Sequence, residues 1–314
     1  MPRVLHTAQA LVDVVLEVPA LPERGGNVNA PAERRYAGGA VTILVAAARA
    51  GAEAVHGGSH GTGPNGDLIR AALAEDGVAA SDAPVPDSDT GICVVLVEPT
   101  AERTFITTYG AERRITAEGL ARLEPRSGDL LCLSGYSFFE PTRDPLLAFL
   151  RTLPTGVEVV LDPGDPFASF PAALQREVLA ATTIWTSNAA EARALTGKED
   201  LGDAAEALRR RIGPAAVIVI RDGSDGCLVF RSGRSTPIPG FPQQPVDTNG
   251  AGDTHTGVML AERALGADWE SAATRANAAA AIKVTRRGPT TAPTRAEVDA
   301  FLVASPQERA VMRP

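Results

Sequence analysis

Lysine is almost absent from this 314-residue chain: Lys198 and Lys283 are the only two, so basic chemistry falls to arginine. That scarcity excludes a phosphate loop of the G-x-x-x-x-G-K-[ST] form, which is not found. Cysteine is scarce too, and Cys93, Cys132 and Cys227 sit far apart in apolar runs such as "GICVVLV" and "LLCLSG". They read as small buried hydrophobes rather than disulfide partners or metal ligands. Aromatic residues make up 4%, which leaves core packing to small aliphatics. No apolar run approaches the ~18 residues of a membrane span. The opening stretch carries Asp13 and Glu17 where a signal peptide would be uninterrupted, so a reducing cytoplasm is the expected compartment. A net charge of -8 argues against nucleic acid as a partner, because counterion release needs clustered, unopposed cations.

What is present is ordinary for a globular chain, 44% hydrophobic and 22% charged, and long enough for its own core. Disorder is expected only in the last dozen residues. From about residue 128 onward, strand-like runs ("DLLCLSG", "VEVVLD", "TIWTS", "AAVIVI", "GCLVFR") alternate with helical patterns near 142–152, 171–181, 189–196 and 203–212. This alternation predicts β-α units on a mostly parallel sheet covered on both faces. The first third differs: "VDVVLEVPALP", "ERRYAGG", "GICVVLVEP" and "ERTFITTYG" are strands without crossover helices, with helices only near 40–50 and 66–76. They predict a small antiparallel flap, with Gly91–Glu98 and Arg103–Tyr109 as a hairpin joined by "PTAE". One domain over 1–314 is expected, with lid segments at about 11–36 and 88–112.

The stretch "PVDTNGAGDTHTG", from Pro245 to Gly257, sets Asp247 and Asp253 around Gly250, Ala251 and Gly252, ahead of a helical apolar pattern. Open backbone N–H groups at a helix start form an anion site that needs no lysine. An acid at that spot would repel a bound phosphate, unless Asp253 is a general base that takes a proton from an attacking hydroxyl. The residues alone leave that role open beside a plain helix N-cap.

"DTNGAGD" resembles the D-T-x-G-A-G-D signature of the PfkB/ribokinase family of carbohydrate kinases, and other segments follow in that family's order over nearly the whole chain. "YAGGAVTILVAAARAGAEA" is similar to its amino-terminal signature, "TSNAAEARALTG" to its N-x-x-E segment, and "VIVIRDGSDGCLVF" to the loop bordering the nucleotide. The resemblance implies a ribokinase-like α/β fold with a β lid, and an ATP-dependent phosphotransferase acting on an alcohol of a sugar or nucleoside-like molecule. It implies Asp253 as base, with Gly250, Ala251 and Gly252 as the anion hole. It implies Asn188, Glu191, Arg221, Gly223, Gly226 and Asn277 on the nucleotide and Mg²⁺ side, and Asp13, Gly38, Gly39, Thr42 and Tyr136 on the acceptor side. It also implies a K⁺ site of Asp247 with carbonyls of Asn249, Lys283, Arg286 and Gly288, and pairing of two lids in a homodimer. A nucleoside kinase and a binding regulator that lost turnover stand as alternatives.

Several motifs carry a plainer reading as well. Asn188 and Glu191 form a capping-box pattern, compatible with either role. "GTGPNG" matches G-x-G-x-x-G, but Pro64-Asn65 reads as a turn that interrupts the passage to the helix, which speaks against a dinucleotide site. His56 and His60 read as loop residues rather than metal ligands. His255 stands two residues beyond Asp253 and faces either way. Ile43, Gly63 and the pair Thr254-His255 depart from the family's pattern, which places the acceptor specificity in doubt and leaves the transfer machinery intact.

Overall fold

The structure is a computed structural model that describes residues 1–100 and 102–304, so the expected terminal disorder lies outside the described residues. In chain order the N-terminal part comprises β1 (Val4–His6), β2 (Ala10–Glu17), β3 (Glu33–Gly39), α1 (Ala40–Arg49), β4 (Ala54–His56), α2 (Pro64–Glu75), β5 (Ala79–Ala80), β6 (Ile92–Val97) and β7 (Arg103–Thr107). There follow α3 (Ala117–Ala121), β8 (Leu130–Ser134), α4 (Arg143–Leu150), β9 (Glu158–Asp162), α5 (Ala172–Ala181), β10 (Ile184–Asn188), α6 (Ala189–Thr196) and α7 (Leu201–Ile212). The last elements are β11 (Val217–Arg221), β12 (Gly226–Arg231), β13 (Arg234–Pro239), α8 (Ala251–Ala264), α9 (Trp269–Lys283) and α10 (Arg295–Ala304).

Nine strands form the main sheet in the order β13-β12-β11-β10-β9-β8-β1-β4-β5, parallel from β11 to β5 and antiparallel at the β12–β13 edge. The central strands are continuous apolar runs because both faces are buried. Val4, Cys132, Val160, Ile184 and Val219 face α1, α8 and α9, while Leu5, Leu131, Leu133, Leu161, Trp185 and Ile220 face the helices from α4 to α7. This is the mostly parallel sheet, covered by helices on both faces, that the sequence predicts.

The second sheet has the order β3-β2-β6-β7. The hairpin β6–β7 is antiparallel as expected, but β2 and β6 run parallel, with Asp13 opposite Cys93, so the flap is mixed rather than purely antiparallel. The reason is connectivity: α1, β4 and α2 intervene between β3 and β6 and return the chain to the same end of the lid.

A second expectation needs correction at "GTGPNG". Pro64 does not interrupt the passage to the helix; it is the first residue of α2, a position where its missing N–H costs nothing. The N-terminus of α2 is filled from within, since the Asp89 carboxylate accepts from the backbone N–H of Asn65 (3.2 Å) and Gly66 (2.9 Å). No dinucleotide phosphate is needed to satisfy it.

Candidate active site

Three parallel strands end side by side and deliver one charged cluster. β9 ends on Asp162, β10 on Asn188 and β11 on Arg221, with Asn188 directly opposite Arg221. The Arg221 guanidinium donates to the hydroxyls of Thr186 and Thr256 (both 2.8 Å) and to the Asp162 carboxylate (3.3 Å). It lies beneath Gly252, where a Cβ would stand 3.5 Å from Nε. Asp162 was missed at the sequence level, although an acid at the carboxyl end of a parallel strand, here followed by Pro163-Gly164, is a usable signal in an α/β sheet.

Across from these strand ends, α8 starts at Ala251 with Gly250 as its N-cap in the left-handed region, at φ 75°. A Cβ on Gly250 would lie 2.7 Å from the Pro289 carbonyl oxygen and 3.0 Å from the Thr42 methyl, so only glycine fits. The Ala251 N–H turns back to the Thr248 carbonyl at 3.2 Å, so this amide serves the turn rather than the expected anion hole. Among the described residues no acceptor pairs with the amides of Gly250, Gly252 and Asp253, which leaves a cluster of donors at the positive end of α8.

Asp253 sits half-buried in this first turn. Burial, and then the nearby Asp162 carboxylate, push its pKa up to about 7 against the opposing Arg221 charge. Glu191 is raised to about 7 for the same two reasons, burial first and then Asp162. Asn188 and Glu191 complete the capping box that their spacing predicts: Glu191 N–H donates to Asn188 Oδ1 at 2.8 Å, and Asn188 N–H to Glu191 Oε2 at 3.0 Å. Tyr136 lies on the turn after β8 with its ring over Gly164, and burial together with Asp165 and Glu191 raises its phenol to about 12.

The second sheet contributes Asp13 on β2. Burial raises its carboxyl to about 6, while a side-chain hydrogen bond from Asn249 opposes the rise. Gly38 leaves it room, because a Cβ there would meet the carboxylate at 2.7 Å, and Gly39, at φ 61°, turns the chain into α1. Asp13, Asn249 and Asp253 are thereby brought to one cleft. Beside it, a pocket of about 140 Å³ lined by Val15, Tyr36, Val95, Asp247 and Asn249 separates the lid from the Pro245–Asn249 loop.

Other expected site residues stand elsewhere. Thr42 is buried on α1 behind Gly250 rather than open to an acceptor. The Asn277 amide is committed to the Ile238 and Pro239 carbonyls (both 3.1 Å), pinning α9 to the edge hairpin. Gly226 is buried at the β12–β13 crossing, whereas Gly223 is exposed in a left-handed turn. His255 is buried, and burial holds its pKa near 3, so it stays neutral and offers no charge to the cleft. His56 and His60 are buried with ring centroids 6.1 Å apart, and among the described residues no group of three His, Cys, Asp or Glu side chains could hold a metal ion by itself.

Several of the oxygens assigned to K⁺ already accept hydrogen bonds from within the chain. The Asp247 carboxylate accepts from Asn249 N–H (2.8 Å) and Gly288 N–H (2.9 Å), and Arg103 stands 3.5 Å away. The Lys283 carbonyl accepts from Arg286 N–H at 2.9 Å, and the Gly288 carbonyl from the Thr291 hydroxyl at 2.8 Å. The Asp247 carbonyl is taken by the Lys283 ammonium at 2.8 Å. The Arg286 side chain points away, to Glu297 at 2.6 Å.

Comparison with known proteins shows the family. Residues 1–295 match the pfkB family carbohydrate kinase domain. The chain belongs to this family. It is 34% identical to an uncharacterized sugar kinase of Escherichia coli (strain K12), YegV, over 94% of the chain and 92% of that protein. It is 31% identical to an ATP-dependent ribose-1-phosphate kinase of Halopiger xanaduensis, over 96% of the chain and 98% of that protein. Among solved structures, Arabidopsis thaliana ribokinase complexed with ribose and ATP superposes with a TM-score of 0.80 at 24% identity, covering 97% of this chain and 99% of that one. Membership makes the chain a carbohydrate kinase by family, and no helix among the described residues is long and apolar enough to cross a membrane.

Proposed function

We propose that this kinase transfers the γ-phosphoryl group of ATP to a hydroxyl of a sugar or phosphosugar, with Asp253 as the general base. The observation that carries this reading is the Asp253 carboxylate in the same helix turn whose amides have no acceptor among the described residues, with burial and Asp162 pushing its pKa up to about 7. A base with a pKa near the working pH combines a substantial ionised fraction with enough basicity to accept a proton. The acceptor hydroxyl would give its proton to Asp253 as its oxygen attacks phosphorus. The bridging oxygen then leaves with ADP, and the amides of Gly250 and Gly252 hold the negative charge on the group in transit. Arg221, fixed from behind by Thr186, Thr256 and Asp162, adds a positive charge beneath those amides without the entropy cost of ordering a free side chain.

Asp13 would hold the acceptor's hydroxyls from the lid, with its carboxylate oriented by Asn249 and given room by Gly38. Closing the lid over them excludes water, the competing acceptor. Bound with the nucleotide, Mg²⁺ would supply positive charge that offsets the negative charge of the phosphates. Glu191, Asn188 and Asp162 are the oxygen donors on that side. The negative charge of Glu191 and Asp162 fits a divalent cation shared with phosphates.

ADP release measured across free pentoses, ketohexoses, sugar phosphates and nucleosides tests the proposal. Stimulation by a sugar or sugar phosphate is expected. Stimulation by nucleosides alone would overturn the acceptor class, and no stimulation anywhere in the panel would overturn the kinase reading.

A further inference from the structure

Lys283, one of two lysines in the chain, closes α9 with 0% of its surface exposed. Its ammonium donates to the Asp247 carbonyl at 2.8 Å. A buried ammonium is costly unless opposite charge surrounds it, and here Asp247 and Asp253 supply that charge while Arg103 opposes it. Lysine, unlike arginine, presents a compact point charge, which suits a niche behind a backbone loop.

The charge count around this niche decides what else fits. The Asp247 carboxylate already faces two cations, Lys283 and Arg103, and both of its oxygens accept backbone N–H bonds. A K⁺ ion coordinated there would join Lys283 and Arg103 as a third positive charge against the two carboxylates of Asp247 and Asp253, and the carbonyls of Asp247, Lys283 and Gly288 each already accept one hydrogen bond, which weakens them as ligands. Like charges brought close together in a partly buried site repel, which disfavours a further cation beside Lys283 and Arg103.

We propose that the Lys283 ammonium is a tethered substitute for the monovalent cation. It ties α9 to the loop that precedes Gly250 and places a fixed positive charge behind the α8 amides, so the chain has no K⁺ requirement. Lys283 is thus a positioning residue that acts through the Asp247 loop, and only its kinetic consequence rests on the phosphotransfer proposed above.

Melting curves in KCl and in choline chloride at matched ionic strength test this without any acceptor. Wild type is expected to melt at the same temperature in both salts. The Lys283→Met variant opens the niche, should melt lower in choline, and should gain about 2–4 °C in K⁺ alone. Where an acceptor has been found, wild-type turnover should be the same in both salts. Lys283→Met should then lose about 10- to 100-fold, the scale of one misplaced electrostatic element, and regain part of it specifically in K⁺. A lysine that merely packs would show the loss without the K⁺-specific recovery. K⁺-specific stabilisation or activation of wild type overturns the proposal, as does a folded Lys283→Met that responds equally to both salts. Should Lys283→Met fail to fold, the wild-type comparison decides alone. Because the melting arm needs no turnover, a failed acceptor screen leaves it standing.

Discussion

At the α8 end of the cleft, the working groups converge from three adjacent strand ends and one helix start, all on the rigid main sheet. At the lid end, Asp13 comes from a separate four-stranded sheet, and its geometry relies on a glycine in the next strand and on Asn249 across the cleft. The first arrangement fixes charge, as phosphoryl transfer requires whatever the acceptor. On the proposed function the second would set shape and hydroxyl contacts, and could vary without touching the chemistry. The transfer end should therefore respond to substitution in turnover and the lid end in acceptor affinity.

The largest expected effect is at the transfer end. Asp253→Asn removes the base and should lower kcat by about 10²–10⁴-fold with nucleotide binding retained, measured by ADP release and by titration with ATP. Gly250→Ala should cost about 10²-fold in kcat, because the Cβ has no room against Pro289 and displaces the amides by a fraction of an ångström or more, and it should also lower the melting temperature. Asp13→Asn breaks the symmetry of the comparison: it should raise KM for the acceptor about tenfold while changing kcat less, the signature of lost binding rather than lost transition-state contact. An equal loss in kcat would move Asp13 into the transfer machinery.

The smallest effect is one of stability and has the opposite sign. Asp253 keeps its proton up to about pH 7 when folded but ionises above its ordinary value of 3.8 when unfolded, so rising pH favours the unfolded chain between those values. This destabilisation is absent below about pH 4 and complete above about pH 7. Asp253→Asn removes it, and should melt higher than wild type at pH 8 by the equivalent of about 1–2 kcal/mol, after allowance for coupling to Asp162, with the difference closing toward pH 4. Denaturant melts at both pH values check it.

The same contrast explains what was legible in the sequence. Local patterns carried far: the alternation of "VEVVLD", "TIWTS" and "AAVIVI" with helices placed β9, β10 and β11, and the Gly250–Asp253 run placed the start of α8. The capping box of Asn188 and Glu191 followed from spacing alone. Groups that act across the sheet did not. Asp162 looked like the end of an apolar strand, and only the lateral order β9-β10-β11 brings it to Arg221 and Asp253. Lys283 was expected to act through its carbonyl, since nothing local to α9 tells that its ammonium reaches the loop 36 residues earlier. The parallel pairing of β2 with β6 was hidden in the same way by the helices between them.

On this proposal Asp253 is a base whose basicity is set by burial and by Asp162. The most direct test is the pH dependence of kcat/KM for wild type and Asp162→Asn with one acceptor. Wild type should lose activity as pH falls through about 7, and Asp162→Asn should move that acid limb to lower pH because the like charge next to the base is gone. An acid limb that is absent in wild type, or that stays in place in Asp162→Asn, contradicts the account.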